Sequence, residues 1–126
     1  MKPLRWILLS LVLLGALVPA TASAASSYCS SSGDVCYSAK KRDGAVRLAL
    51  GTFALRGTVD VCVRAPDATR KCVAFRLRAR PRGIFEIDAR WSAHFPRKGP
   101  GTYRVTFVPR GIGMSIGPAV TFAVKR

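Results

Sequence analysis

The sequence predicts an all-β domain, a two-sheet antiparallel β-sandwich of about seven strands. Seven short segments alternate between apolar and other residues, the period of two expected of strands that bury one face. These segments recur roughly every 10–12 residues and are separated by Gly, Pro and Asp, as in sandwich domains. Past residue 24, no segment shows a comparable helical periodicity.

The first 24 residues read as a secretory signal peptide. Lys2 and Arg5 form a basic start, 7–18 is a continuous apolar run, and the A-S-A at 22–24 fits a cleavage site. We expect cleavage after the second alanine of that site, with the first as the next choice. The run is shorter than the roughly 20 residues that a membrane span needs. The expected product is a secreted, unanchored domain of residues 25–126.

The exported part of the chain is strongly basic. Of the 21 Lys and Arg residues, Lys2 and Arg5 lie in the signal peptide, so 19 remain against 6 acidic residues. Such an excess attracts anionic polymers and surfaces whatever the fold. An Arg-rich chain with many Ala, Gly and Val is also what a GC-rich bacterial genome encodes. The sequence leaves codon bias and selected anion binding open as explanations.

The predicted strands follow one another with short connections. In the 51–57 connection, Phe53 and Leu55 are expected to plug one end of the core. The apolar faces of the strands supply enough large side chains to fill the roughly 10 Å gap between two sheets. The seven strands lie, in order, at 35–39, 46–50, 58–64, 70–78, 85–91, 103–107 and 120–124.

The third and fourth strands form a hairpin around the turn A-P-D-A-T. If Cys62 lies opposite Cys72, then Val61 lies opposite Val73, and the apolar residues of both strands share one face. One register therefore satisfies the hydrophobic pattern and brings the two cysteines together on the opposite face. The sequence thus predicts a disulfide that lies outside the core.

Four cysteines in a short exported chain predict two disulfides, for which three connectivities are possible. We favour Cys29–Cys36 and Cys62–Cys72, because each pair brackets a local turn. The six- and nine-residue gaps between these cysteines do not match the usual spacing of zinc ligands. We therefore expect no metal site and no cofactor.

The segment G-P-G-T-Y-R-V at 99–105 resembles the entry to the sixth strand of immunoglobulin-like and fibronectin type III domains. The resemblance implies that Tyr103 forms a tyrosine corner by bonding back to the backbone. The chain lacks the inter-sheet cysteines of true immunoglobulin domains, and Trp91 falls on the fifth predicted strand rather than the third. The resemblance is therefore to a small secreted bacterial domain of the fibronectin type III kind. Strands one, two and five would face four, three, six and seven.

The 58–78 hairpin is also similar to that of the actinobacterial enediyne-carrier apoproteins, which are secreted sandwiches with two local disulfides. Those proteins are acidic, and their second cysteine pair is placed differently. The likeness is an analogy of architecture and implies no particular ligand.

In the fibronectin-like order, four arginines would share the outer face of the second sheet: Arg64, Arg76, Arg78 and Arg104. Guanidinium groups suit phosphate and carboxylate groups, so this face is an anion-binding candidate. The expected partners are an anionic cell-wall polymer, an anionic membrane surface or an acidic protein. No aromatic residues accompany the arginines, and 25–126 lacks Asn and Gln, so we expect no specific reading of nucleic acid.

The patterns typical of catalysis are weak. His94 is the only histidine and has no recognisable nucleophile near it in sequence. Glu86 and Asp88 point off one face of a strand and are better explained as partners of arginines. Residues 38–41 match S-x-x-K, but the companion motifs of that enzyme class are absent. We therefore expect a non-enzymatic binding or structural module.

The alternative function is that of a small-molecule carrier or inhibitor. It would use a cleft near the 51–57 and 109–118 connections or a rigid, exposed loop at 65–69. The anion-binding module instead depends on the basic sheet face.

Overall fold

The computed structural model describes residues 25–126, and the predicted signal peptide at 1–24 lies outside the described residues. Two antiparallel sheets pack face to face, which confirms the predicted β-sandwich. The strands are β1 (Ser27–Cys29), β2 (Val35–Arg42), β3 (Ala45–Thr52), β4 (Thr58–Arg64), β5 (Arg70–Arg76), β6 (Arg78–Ala79), β7 (Phe85–Arg90), β8 (Gly101–Pro109) and β9 (Val120–Val124).

The first sheet has the order β1-β2-β3-β7-β6 and the second the order β5-β4-β8-β9. Seven of these strands are the predicted ones, and they divide between the sheets as expected. The two additional strands are short and lie at the edges of the first sheet. Edge strand β6 forms because the chain leaves the second sheet after β5 and crosses to pair with β7.

The core lies between the sheets and is built from the alternating apolar residues. In β4, Val59 and Val61 are fully buried, as are Val105 and Phe107 in the neighbouring strand β8. Three rings meet at one end: Tyr103 stacks on Phe122, and Trp91 packs edge-on against both. Burial of large apolar side chains of this kind contributes about 1.5–3 kcal/mol each.

Two local expectations are wrong. Phe53 does not plug the core; it is 51% exposed, because Thr52 before it takes the inward position at the end of β3, and of the two only Leu55 packs against the core. Trp91 does not end the fifth predicted strand. It begins a single helical turn, α1 (Trp91–His94), while its ring is buried as the alternation predicts and meets Tyr103 and Phe122.

Both predicted disulfides are confirmed, and each joins directly opposed residues of neighbouring antiparallel strands. Cys29 pairs with Cys36 between β1 and β2, and Cys62 pairs with Cys72 between β4 and β5. The second bridge lies on the outer face of its sheet, because its cysteines alternate with the inward valines. Two disulfides indicate folding in an oxidising environment.

Within 25–126, no helix has the length and apolar character needed to cross a membrane. The described helical segments are α1 and a single 3₁₀ turn, Pro81–Gly83.

Candidate anion-binding site

Three arginines lie side by side on the outer face of the second sheet. Arg64 in β4 is directly opposite Arg70 in β5 on one side and Arg104 in β8 on the other. All three side chains are exposed. Like charges directly opposite one another destabilise a sheet. We call this set the arginine row; adjacent strands are about 4.8 Å apart, so it spans roughly 10 Å.

The loop between β4 and β5 fixes the first two members of the row. Ala65 N donates to Thr69 O at 2.8 Å, which closes the loop directly beyond the row. Thr69 donates to Asp67 Oδ1 from its backbone N at 3.0 Å and from its hydroxyl. These hydrogen bonds lower the pKa of Asp67, since they favour its charged form. The carboxylate nearest the row in sequence is thus held by Thr69.

The remaining acids of the outer faces are matched to other arginines. Arg47 pairs with Asp88 at 3.0 Å, Arg110 pairs with Asp60 at 3.3 Å, and Arg80 pairs with Glu86. The hydrogen bond and charge of Asp88 raise the pKa of Arg47. Within residues 25–126, no member of the arginine row makes an ion pair, so its positive charge is available to a ligand.

A groove of about 860 Å³ lies on the other side of β9, at the same end of the sandwich. Its position follows from the register, since Val124 at the end of β9 is opposite Gly101 at the start of β8. Five basic residues line it: Lys41, Arg90, Arg97, Lys125 and Arg126. We call the arginine row and this groove together the basic end. The nearby turns of this end carry two acids, Asp43 and Asp67.

Trp91 also lines the groove, and its side chain is otherwise packed in the core. Its indole Nε1 is buried and, within the described chain, has no hydrogen-bond acceptor. A buried donor of this kind is unusual in a folded protein. Trp91 is also the only tryptophan of residues 25–126, so its fluorescence reports on this groove.

The structure divides the four arginines predicted to share one face. Arg64 and Arg104 lie together in the row, as expected. Arg76 is on the same face but opposite Thr58, at the far end of the sheet. The prediction for Arg78 is wrong, because β5 ends at Arg76 and Arg78 pairs in register with Glu86 in the first sheet.

Arg70 belongs to the site but was not predicted from the sequence. The signal that could have identified it is the register of the hairpin. A register that places Cys62 opposite Cys72 also places Arg64 opposite Arg70, two residues further along each strand. Both residues then point to the same face as the disulfide.

Arg76 and Arg78 instead line a cleft of about 290 Å³ at the side of the sandwich, together with His94, Glu86 and Asp88. The imidazole of His94 packs edge-on against Phe75 at 4.9 Å between ring centres. The cleft has no Ser, Thr or Cys in its lining, as far as the described chain shows. Both carboxylates already pair with arginines, Asp88 with Arg47 and Glu86 with Arg80, whereas Arg76 and Arg78 make no ion pair among the described residues.

Tyr103 joins the basic end to the core. Its hydroxyl donates to Gly99 O at 2.7 Å and accepts from Lys98 N at 2.9 Å, which is the arrangement of a tyrosine corner. These bonds fix the turn that leads into β8 and hence to Arg104.

Among residues 25–126, no three His, Cys, Asp or Glu side chains are grouped to hold a metal ion.

No protein-family model, curated protein or solved structure matches this chain.

Proposed function

We propose that this protein is a secreted, non-enzymatic binding module of immunoglobulin-like, fibronectin type III-like architecture that holds an anionic polymer at its basic end. The observation that carries the proposal is the arginine row. Three guanidinium groups in register, without carboxylate partners among the described residues, cost stability in the free protein. An anionic ligand removes that cost, so ligand binding explains why the three arginines lie side by side.

A polymer fits this site better than a single small anion. The row and the groove lie on two sides of β9, so one compact anion cannot reach both. A chain with regularly repeated phosphates or carboxylates can contact the row and continue toward the groove. Guanidinium groups bind such oxygens in pairs, and binding weakens steeply as salt rises.

Secretion places the module where such polymers occur. The signal peptide predicted at 1–24 and the two disulfides both support folding outside the cytoplasm. A phosphate- or carboxylate-bearing wall polymer is the partner class we favour. Lipid head groups and acidic proteins carry the same anionic groups and are alternative outcomes of the binding test.

The test uses long-chain polyphosphate and the fluorescence of Trp91. The row variant is Arg64→Gln/Arg70→Gln/Arg104→Gln, and the control is Arg76→Gln/Arg78→Gln/Arg82→Gln, which removes the same charge elsewhere. We expect the row variant to bind polyphosphate at least tenfold more weakly. The salt dependence of its affinity should correspond to about three fewer phosphate contacts. The control should lose less than threefold in its affinity for polyphosphate.

Equal losses in the two variants would show that only net charge matters and would overturn the proposal. A polymer bearing carboxylates, such as polyglutamate, and an acidic folded protein serve as competitors. Displacement of polyphosphate by the folded protein alone, and not by polyglutamate, would replace the polymer with a protein as partner.

A second function is favoured by one observation, the fixed conformation of the loop at 65–69. It is exposed beyond Ala65, pinned by backbone and side-chain hydrogen bonds, and begins three residues after Cys62. A loop preorganised in this way suits an inhibitor, because little entropy is lost on binding. Replacing 66–68 by Gly-Ser-Gly should abolish inhibition in a panel of secreted hydrolases while leaving polyphosphate binding within threefold.

A further inference from the structure

The exposed large apolar side chains of the described chain are concentrated at the end opposite the basic end. Phe53 is 51% exposed, Ile112 is 52% exposed and Met114 is 66% exposed. Single exposed apolar residues are ordinary, but a concentration of them at one place indicates an interaction surface. We call these three residues the apolar tip.

Strand register places the three residues at the same end. Phe53 follows β3, whose last residue Thr52 is opposite Phe85, the first residue of β7. Ile112 and Met114 follow β8, whose last residue Pro109 is opposite Val59 near the start of β4. Central strands of both sheets therefore end here.

The segment that carries Ile112 and Met114 is held in place by its backbone. Gly111 and Gly113 adopt φ angles of 92° and 74°, and Gly113 N donates to Pro109 O. Further along, Ile116 N donates to Phe107 O at 3.1 Å. The backbone on both sides of Met114 is therefore attached to the sandwich while the two apolar side chains point to solvent.

The far side of this segment is fastened to the first sheet. The Tyr37 hydroxyl donates to Pro118 O, and a Cβ atom on Gly117 would lie 2.6 Å from that hydroxyl oxygen. Only glycine permits so close an approach. The fold thus fixes a loop whose apolar side chains it does not bury.

The loops around the apolar tip are basic. They carry Arg56, Arg80, Arg82 and Arg110, and one acid, Asp34. Arg80 and Arg110 are already paired with Glu86 and Asp60 on the adjoining strands, so Arg56 and Arg82 are the two without an acidic partner among the described residues. Arg56 lies next to the tip: its guanidinium covers the ring of Phe85 at 3.8 Å and donates to Phe53 O at 3.1 Å. Apolar side chains surrounded by arginines are the combination that binds the interface of an anionic bilayer.

We propose that the apolar tip inserts into the interface of an anionic phospholipid bilayer, with the surrounding arginines against the lipid phosphates. The charge around the tip favours a lipid surface, because Arg56 and Arg82 make no ion pair among the described residues and can contact lipid phosphates. The apolar side chains supply insertion, since each apolar group buried at the interface adds binding strength.

This second surface is separate from the basic end. Strand β4 runs from Thr58, beside the tip, to Arg64 in the arginine row, a distance of about 20 Å at roughly 3.3 Å per residue. A domain that inserts its tip leaves the basic end directed away from the bilayer. Lipid docking therefore goes beyond polymer binding, and either can fail without the other.

The test is co-sedimentation with vesicles of phosphatidylcholine containing 30% phosphatidylglycerol, with pure phosphatidylcholine as comparison. The tip variant is Phe53→Ser/Ile112→Ser/Met114→Ser, which keeps the net charge. We expect at least a tenfold loss of binding in the tip variant. The row variant Arg64→Gln/Arg70→Gln/Arg104→Gln should lose less than fivefold.

Insertion itself is measured with Ile112→Trp, whose added fluorescence should shift to the blue with vesicles and be quenched by brominated lipid chains. Unchanged vesicle binding by the tip variant, or no quenching, would overturn the proposal. A protein dimer that the serine substitutions dissociate would assign the tip to a second copy of the chain and likewise overturn it. Intact polyphosphate binding by the tip variant shows that the variant is folded.

Discussion

The two ends of the sandwich expose opposite kinds of surface. The basic end carries arginines aligned across three strands, whereas the opposite end carries exposed apolar side chains on pinned loops. Both arrangements cost the isolated domain stability, by like-charge repulsion at one end and by hydration of apolar surface at the other. The outer face of the first sheet differs from both ends, since Asp88 there pairs with Arg47.

The difference shows how one framework supports two surfaces. The core residues of β4 and β8 run from one end to the other and bury nearly all of their inward side chains. Each end also has its own disulfide. A disulfide lies next to the arginine row, and the other disulfide, Cys29–Cys36, lies beside the loop that contacts Phe53 through Asp34 O. Damage to one end should leave the other largely intact.

The largest effect that separates the ends should come from removing one disulfide at a time. Each bridge closes a short loop and contributes about 2.5 kcal/mol on the chain-entropy model. Cys62→Ala/Cys72→Ala should lower the free energy of unfolding by that amount and weaken polyphosphate binding several-fold, because the register of Arg64 and Arg70 loosens. Denaturant unfolding and fluorescence titration measure the two quantities.

Cys29→Ala/Cys36→Ala is the matched variant for that comparison. It should lose similar stability, yet keep polyphosphate binding within about twofold. Its vesicle binding should fall instead, since this bridge supports the loop beside Phe53. Loss of polyphosphate binding in both variants alike would show that the two ends are not independent.

A smaller effect is expected from Tyr103→Phe at the basic end. The substitution keeps the ring in the core but removes the hydroxyl shared by Gly99 O and Lys98 N. Leaving two backbone groups without this partner should cost about 1–2 kcal/mol, because both are only partly buried. Thermal unfolding measures the loss. Vesicle binding below the melting temperature should not change. A change would show that the hydrogen bonds of Tyr103 also affect the apolar tip at the opposite end.

The sequence predicted the sandwich because period-two alternation is a local signal that burial enforces in every strand. The hairpin register was predictable as well, since the cysteines and the valines require the same alignment. Arg78 was misplaced because the crossing between sheets after Arg76 depends on tertiary packing. Alternation alone cannot show that a strand stops at Arg76 and pairs elsewhere two residues later.

The candidate surfaces were less predictable than the fold. Arg70 follows from the hairpin register, but Lys125 and Arg97 meet in the groove only because β9 and the 95–100 loop converge. Phe53 is a large apolar residue of the kind usually found in a core, but it is exposed because Thr52 before it takes the inward position. Apolar pattern predicts which strand face is buried and gives no such information for loops.

The smallest effect at neutral pH should come from Tyr37→Phe, which removes the hydrogen bond to Pro118 O beneath the apolar tip. The loss should be about 1 kcal/mol, the usual net value of one hydrogen bond. Vesicle binding should weaken about twofold, while polyphosphate binding stays unchanged. A reduction in polyphosphate binding would contradict the independence of the two ends.

The same residue should give the protein a distinct response to alkaline pH. Burial, followed by the charge of nearby Tyr28, raises the pKa of Tyr37 to about 12 from the ordinary value of 10.0. The unfolded chain then loses this proton before the folded one, so stability is full below about pH 10 and falls as pH rises toward 12. Tyr37→Phe should lack that part of the decline, as measured by denaturant unfolding between pH 9 and 12. An identical decline in both proteins would show that Tyr37 ionises as easily in the folded state as in the unfolded chain.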